Sequence, residues 1–196
     1  MKILAVSDEE SKYFWDHYRP GKLDGIDLIL SAGDLKSEYL SFLVTMANRP
    51  LLYIHGNHDG NYEKKPPDGC ECIENRLVVV NGVRILGLGG SRRYNNGQHQ
   101  YTNRQMERRI ARLRWKLYRA GGVDIVLTHS PPAGVGDAED VAHMGFDAFL
   151  PLMEKYKPAY LVHGHVHKSY SPSFTRERQY ASTTVINASG YHIFEL

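Results

Sequence analysis

Short apolar segments of this chain repeatedly end in residue types that often serve as metal ligands in proteins. The predicted strands are Lys2–Ser7, Ile26–Leu30, Leu51–Ile54, Val123–Thr128 and Ala159–Val162. At or just beyond their ends stand Asp8 and Glu10, then Asp34, then Asn57 and His58, then His129, and finally His165 and His167. Ligand sites in open α/β sheets form outside the carboxyl ends of the strands. We therefore expect side chains that are far apart in the chain to converge on one place.

The first third of the chain alternates between strands and helices. A helix is predicted over Ser11–Tyr18, and another is predicted to begin at Ser37, which is a plausible N-cap. This alternation is typical of a parallel sheet covered by helices. Further on, Asn81-Gly82 suits the type I′ turn of a hairpin whose strands are Leu77–Val80 and Val83–Leu88.

The second half predicts two more helices and a final pair of strands. A helix over Asn103–Arg119 carries the capping box Thr102 and Gln105 and stops at a Gly-Gly pair. Another is predicted over Phe146–Tyr156, interrupted or kinked at Pro151. The closing strands are Thr183–Ala188 and Tyr191–Leu196. Because no linker divides the chain, we expect a single domain over residues 1–196.

Composition excludes several classes of protein. Apolar residues make up 42% and charged residues 23% of the chain, which is ordinary for a globular domain. The formal charge is +2, so neither a polybasic protein nor an acidic tail is indicated. No apolar run approaches the roughly 20 residues that span a bilayer, and the N-terminal run is too short for a signal peptide. We expect a cytoplasmic protein without a membrane partner, in which Cys70 and Cys72 are free thiols.

The ligand types indicate a particular chemistry. Carboxylate, imidazole and amide oxygen suit Mn²⁺, Fe²⁺ or Zn²⁺, and no thiolate is among them. The groups are more numerous than one divalent ion requires, whereas two ions that share one carboxylate would use them all. Such a pair, about 3.5–4 Å apart, is the usual device for phosphate ester cleavage. Water held between the ions becomes hydroxide near neutral pH and attacks phosphorus in line.

The order of these motifs resembles that of the calcineurin-like metallophosphoesterases. That family runs D-x-H, G-D, G-N-H-[DE], a lone His and G-H-x-H. The matching segments here are Asp8-Glu9-Glu10, Gly33-Asp34, Gly56-Asn57-His58-Asp59, Thr128-His129 and Gly164-His165-Val166-His167. The resemblance covers nearly the whole chain and points to a small bacterial member. It implies an α/β fold, a four-layer αββα sandwich of two mixed β-sheets flanked by helices.

The resemblance also implies a role for each matching residue. One metal position would be formed by Asp8, Asp34 and His167, with Glu10 as a further candidate ligand. The other would be formed by Asp34, Asn57, His129 and His165, so that Asp34 bridges two divalent transition metal ions. His58 would not bind metal but would protonate the leaving oxygen or stabilise charge on the phosphate.

Two positions depart from the family pattern. Glu10 stands where the family has His; it either binds the metal, which favours Mn²⁺ or Fe²⁺ over Zn²⁺, or turns away. We favour binding, because a buried unpaired carboxylate beside Asp8 would be costly. Ser37 stands where many members carry an Asp that orients the catalytic His. Asp59 or a backbone carbonyl must then orient His58.

Other residues have both a functional and a purely structural interpretation. Arg92 and Arg93 follow a predicted strand and either clamp substrate phosphate or belong to a solvated loop. The basic helix 103–119 either meets nucleic acid or is simply solvated, and the near-zero net charge makes nucleic acid the less favoured partner. His163 is expected to be a hydrogen-bonded structural residue of its strand, and His55 is expected to support the site without binding metal.

The sequence therefore predicts a dinuclear metal-dependent phosphohydrolase. Its substrate would be a small-molecule phosphomonoester or phosphodiester, and Mn²⁺ would be the favoured metal. One alternative is a scaffold protein that keeps the fold but has weak or no catalysis, suggested by Glu10 and Ser37. Another is a nuclease that uses the basic helix 103–119.

Overall fold

Two β-sheets face each other across a shared apolar core in the computed structural model, which describes residues 1–167 and 174–196. The first sheet has the order β13-β1-β2-β3-β4. Its strands are β1 (Lys2–Ser7), β2 (Leu28–Ser31), β3 (Leu51–Tyr53), β4 (Glu71–Cys72) and β13 (Gly190–Glu195). Only β13 runs antiparallel to its neighbour. The sheet is mixed, as expected.

The second sheet has the order β11-β12-β10-β9-β6-β5. Its strands are β5 (Leu77–Val80), β6 (Val83–Leu88), β9 (Ile125–Thr128), β10 (Tyr160–His163), β11 (Glu177–Tyr180) and β12 (Thr183–Asn187). The four central strands are parallel, and both edge strands are antiparallel to their neighbours. Two short strands, β7 (Ser91–Arg92) and β8 (Gln100–Tyr101), pair beside it.

Helices cover the outer faces of the two sheets. The described residues contain α1 (Ser37–Ala47), α2 (Asn103–Arg119) and α3 (Phe149–Tyr156), and a 3₁₀ helix (Asp59–Glu63). One core lies between the sheets, a second joins α2 and α3 to the six-stranded sheet, and a third joins α1 to the five-stranded sheet. The four layers are therefore α, β, β and α, and the chain has the expected α/β sandwich fold. A single domain over residues 1–196 stays a prediction.

Several predicted elements are confirmed in detail. The hairpin β5–β6 has its predicted bounds, and Asn81 and Gly82 both have positive φ (50° and 84°), as a type I′ turn requires. Helix α2 also has its predicted bounds. Thr102 accepts a hydrogen bond from the Gln105 N–H, and the Gln105 side chain accepts one from the Thr102 N–H.

Three local predictions are wrong. Residues 12–17 form turns rather than a helix, because the apolar Phe14 is pulled into the α1 core from an irregular segment. The N-cap of α1 is Lys36, and the Ser37 hydroxyl bonds to Glu38 instead. Helix α3 begins at Phe149, so Pro151 lies in its first turn, where a missing N–H costs nothing and no kink follows.

No helix in the described parts of the chain is both long and apolar enough to cross a membrane.

Candidate metal centre

The predicted ligands lie where the carboxyl ends of strands from both sheets meet. Three of them have left-handed backbone conformations: φ is 65° at Asp8, 58° at Asp34 and 68° at His165. Such conformations are unfavourable for residues with a side chain and cluster at functional sites. Each occurs just after a strand, so the backbone bends sharply there and turns the side chain across the sheet edge.

Four predicted ligands are largely buried and are called the inner group here: Asp34, Asn57, His129 and His165. His129 lies at their centre, and its side chain is fully buried. Its Nδ1 lies 2.7 Å from the Ala32 carbonyl oxygen, to which it donates. In the neutral ring, the Nε2 lone pair therefore points away from that carbonyl.

Two oxygen acceptors face this same nitrogen. The Asp34 Oδ2 lies 3.2 Å and the Asn57 Oδ1 lies 3.1 Å from His129 Nε2. Without a metal, Nε2 must carry a proton so that it can donate a hydrogen bond to these oxygens. Burial would lower the pKa of His129, but the Asp34 carboxylate outweighs it and raises the pKa to about 9. Burial likewise opposes ionisation of Asp34, yet His129 holds the pKa of that carboxyl well below its usual range.

The side-chain amide of Asn57 is held in one orientation. Its Nδ2 donates to the Tyr94 hydroxyl at 3.2 Å, which leaves Oδ1 facing His129. Tyr94 follows the two arginines that the sequence singled out. No local pattern marked it, since its role depends on a contact across 37 positions of the chain.

His165 completes the inner group. Its Nε2 lies 2.7 Å from the Ala142 carbonyl, so that nitrogen donates and Nδ1 keeps the lone pair. Burial, and then the charge of nearby His129, lower the pKa of His165 to about 3, so the ring is neutral, as a metal ligand must be. Ligand atoms of Asp34, His129 and His165 all lie within 4.8 Å of one another. This donor set fits a divalent cation.

Asp59 fastens the two loops that supply Asp34 and Asn57. Its Oδ2 accepts hydrogen bonds from the Asp34 N–H at 2.8 Å and the Gly56 N–H at 2.7 Å. Burial and the neighbouring Asp34 charge raise the pKa of Asp59 to about 6. A side chain at Gly56 would collide with the Asp34 carboxylate, so only glycine allows the loops this close. Asp59 thus holds backbone amides, and no contact from it to the His58 ring is present among the described residues.

The other three predicted ligands form the outer group: Asp8, Glu10 and His167. Asp8 is firmly held, because both its carboxylate oxygens accept the His165 N–H at 3.0 Å. Burial, ahead of the charges around it, raises the pKa of Asp8. Within the outer group, Asp8 is therefore held in place by hydrogen bonds.

The remaining two members contact side chains outside the predicted ligand set. Glu10 Oε1 accepts the Lys36 N–H at 3.3 Å and lies 3.7 Å from Lys36 Nζ. His167 Nδ1 lies 3.2 Å from Glu9, the acid between the two residues of the opening motif. Metal binding by Glu10 and His167 stays a prediction.

A cavity of about 410 Å³ opens beside the inner group. Its lining includes Asp34, His58 and Asp59 together with three lysines, Lys36, Lys64 and Lys65, and the acids Glu10 and Glu38. His58 is exposed, its N–H donates to Asp34 at 2.8 Å, and its ring has no hydrogen-bond partner in the described chain. A volume of this size holds a small organic ligand.

The two candidate phosphate-binding arginines have different surroundings. Arg92 donates to the Gly145 carbonyl at 3.0 Å and lies 3.4 Å from the Asp147 carboxylate, so it tethers the loop before α3. The Arg93 side chain donates a long hydrogen bond, 3.5 Å, to the Gln105 side-chain oxygen. A substrate role stays a prediction for both, and Arg93 is the less engaged of the two.

A buried ion pair between Arg109 and Glu74 connects the loops next to the site to α2. Arg109, expected on the exposed basic face of α2, is instead buried; it donates to Glu74, to Asn75 and to the Gly89 carbonyl. Glu74 in turn accepts the Gly89 N–H at 3.0 Å and the His55 N–H at 3.3 Å. The pair thus joins α2 to the loops after β3 and β6.

The two remaining histidines and the two cysteines make contacts that are typical of structural residues. His163 ends β10, is 1% exposed and bonds to the Gly164 carbonyl through Nδ1 at 2.8 Å. His55 stacks on His99 with ring centroids 4.5 Å apart. Cys70 and Cys72 are free, and burial raises the pKa of both thiols.

The fold and the site define a class of protein in which the strand ends of two sheets meet at a cluster of oxygen and nitrogen ligands. A family model of the calcineurin-like phosphoesterases matches residues 1–169. The chain belongs to that family.

Sequence relatives include UPF0046 proteins of Caenorhabditis elegans. K07C11.7 is 27% identical over 215 residues, covering 96% of this chain and 69% of that protein. T07D4.2 is 30% identical over 123 residues, covering 61% of this chain. The match spans 30% of the length of T07D4.2.

Solved structures share the fold. One crystal structure aligns with a TM-score of 0.70 at 15% identity, covering 98% of this chain and 93% of the other. TT1561 of Thermus thermophilus aligns with a TM-score of 0.61 at 16% identity, covering 96% of this chain and 88% of that one. At these identities the likeness concerns the fold alone.

Proposed function

We propose that this protein is a dinuclear metal-dependent phosphohydrolase that cleaves phosphomonoesters or phosphodiesters. One observation carries the proposal. The Asp34 and Asn57 oxygens converge on His129 Nε2, and the other nitrogen of that ring is committed to the Ala32 carbonyl. Three buried acceptor atoms face one point, which is unfavourable unless a cation or proton lies among them.

The proposal assigns a metal position to each group of ligands. The inner group would hold one ion, and the outer group with Asp34 would hold the second, with Mn²⁺ favoured by the excess of oxygen ligands. When bound, the two ions would draw charge from the phosphoryl oxygens and lower the pKa of water. Asp34 suits the bridging role because Oδ2 faces His129 while Oδ1 accepts the His58 N–H.

His58 supplies the proton chemistry in this proposal. Its backbone is held by Asp34 at the mouth of the cavity, while its ring is exposed and able to reach the leaving oxygen of a bound ester. The cavity would hold the organic part of a small-molecule substrate. The cavity wall carries both lysines and acids, and two of its lysines pair with acids, Lys36 with Glu10 and Lys65 with Glu38. We propose that the protein works in the cytoplasm.

Hydrolysis tests the proposal directly. The purified chain is stripped with a chelator, and cleavage of an aryl phosphodiester and an aryl phosphomonoester is followed with and without Mn²⁺. We expect Mn²⁺-dependent turnover that falls at least 100-fold in Asn57→Ala and His165→Ala, because each removes an inner ligand. His17→Ala, at an exposed histidine outside the site, is the matched control. Undiminished activity of the stripped enzyme in chelator would overturn the proposal.

A scaffold with weak or no catalysis is the second candidate. It is favoured by the contacts of Glu10 with Lys36 and of His167 with Glu9, which engage two outer ligands elsewhere. Turnover by the wild type no greater than that of Asp34→Asn would support it. Turnover clearly above that of Asp34→Asn would reject it.

A further inference from the structure

Helix α2 concentrates the positive charge of the chain on one element. It carries seven Arg and Lys residues and one Glu, a net +6, whereas the other 179 residues carry 17 basic and 21 acidic residues, a net −4. The near-neutral total therefore conceals a strongly cationic surface. Arg109 is buried with Glu74, and the other six basic residues are exposed: Arg104, Arg108, Arg112, Arg114, Lys116 and Arg119. None of these six forms an ion pair within the described chain.

Two aromatic side chains stand exposed among these charges. Trp115 is 67% and Tyr118 is 74% exposed, and their rings stack with centroids 5.7 Å apart at 25°. Trp115 follows Arg108 and Arg112 on the same helical face, at spacings of seven and three residues. The large apolar side chains of α2 cannot join them, because Met106, Leu113 and Leu117 are buried in the core and the partly buried Ile110 packs against it.

The aromatic end of this surface lies away from the candidate metal centre. Arg84 at the start of β6 donates to the carbonyls of Ala120 and Gly121, just beyond the end of α2. The same strand ends at the Gly89 loop, on the side of the sheet where the metal ligands lie. The aromatic end of α2 is therefore at the opposite end of the sheet, and it would bind its partner without placing it in the metal centre.

We propose that the exposed face of α2, formed by Arg108, Arg112, Trp115, Tyr118 and Arg119, binds single-stranded nucleic acid. Guanidinium groups pair with phosphates, and flat aromatic rings stack on bases that are not already paired in a duplex. An anionic bilayer is a poorer fit, since the helix has no exposed aliphatic face to insert. The proposal stands apart from the hydrolytic function and does not make the chain a nuclease.

Fluorescence anisotropy with a fluorescein-labelled 15-mer of oligouridine tests the proposal on the full chain. We expect binding at 50 mM salt that weakens steeply as salt is raised. The Arg108→Gln/Arg112→Gln variant should bind about tenfold more weakly and lower the slope of log K against log salt by about 2. Arg19→Gln/Arg49→Gln, which removes two exposed charges elsewhere, should bind like the wild type.

Conservative substitutions separate base stacking from simple attraction of charge. Trp115→Leu keeps apolar area but removes the ring, and we expect about tenfold weaker binding, while Trp115→Phe keeps most of the affinity. All these positions are exposed, so the variants should fold. Equal binding by Trp115→Leu, equal affinity for heparin, preference for a duplex, or binding only to phosphatidylserine vesicles would each overturn the proposal.

Discussion

The inner and outer groups of the candidate centre differ in how the fold holds them. The His129 side chain is fully buried, and its two ring nitrogens contact groups from two loops, the ones that follow β2 and β3. In the outer group, Glu10 and His167 are 29% and 28% exposed and contact Lys36 and Glu9. Backbone turns and buried hydrogen bonds thus hold the inner group in place, whereas Glu10 and His167 of the outer group are held by contacts with side chains at the surface.

Removing one histidine from each group gives the largest expected contrast. His129→Ala should weaken the first Mn²⁺ binding event at least 1,000-fold, about 4 kcal/mol, because it deletes the central ligand of a preformed site. His167→Ala should leave that event within about threefold and affect only a second, weaker event. Isothermal titration calorimetry measures both. Equal losses in the two variants would erase the distinction between the groups.

In the metal-free protein, the free energy of unfolding should depend on pH through His129 of the inner group. The pKa of His129 is raised to about 9 from an ordinary 6.5, so the folded state holds a proton that the unfolded state releases. Its stabilising contribution is complete below about pH 6.5 and is lost as pH rises through about 9, a loss of up to about 3 kcal/mol. Urea unfolding of wild type and His129→Gln at several pH values measures this difference.

The affinity for Mn²⁺ should change with pH in the opposite direction to the stability of the metal-free protein. Because the ion replaces the proton on His129, apparent Mn²⁺ affinity should rise with pH over the same window. A wild-type stability profile that matches His129→Gln from pH 6.5 to 9 would contradict the proposed ion pair between His129 and Asp34.

The hydrogen bond from Asn57 to Tyr94 predicts a smaller effect. Tyr94→Phe removes the hydroxyl that fixes the Asn57 amide, so the first Mn²⁺ event should weaken about tenfold with little change in unfolding free energy. Tyr13→Phe, at an exposed tyrosine, serves as the control. If Tyr94→Phe binds Mn²⁺ like the wild type, the amide is oriented by its other contacts alone.

The smallest effect is expected at Glu10. Glu10→Gln should leave the first Mn²⁺ event within about twofold and weaken the second about tenfold, while Glu10→His should retain both. Glu195→Gln, at an exposed acid outside the site, is the control. A second event unaffected by Glu10→Gln would show that this carboxylate stays with Lys36.

The sequence predicts the parts of this molecule that depend on local chemistry. The Asn-Gly turn and the capping box of α2 are set by nearby residues, and the ligands follow strand ends because parallel strands finish at one edge. The same rules failed at residues 12–17, where a buried Phe14 and tertiary packing decide the conformation.

Long-range contacts account for what the sequence did not reveal. Arg109 looks like one more cation of a solvated face, yet it is buried because Glu74, 35 positions earlier, reaches it. The Ala142 carbonyl that fixes the His165 ring comes from an irregular loop with no motif. The orientation of Glu10 depends on Lys36, 26 positions away. These partners are defined by the folded sheets and not by spacing along the chain.

Anomalous diffraction from crystals grown with Mn²⁺ is the most direct test of the claim that the inner group is a preformed metal site. We predict a strong peak at the manganese edge bounded by Asp34, Asn57, His129 and His165, with a weaker second peak on the Asp8 side. A map without a peak among the four inner ligands, or with manganese bound only elsewhere, would contradict the account.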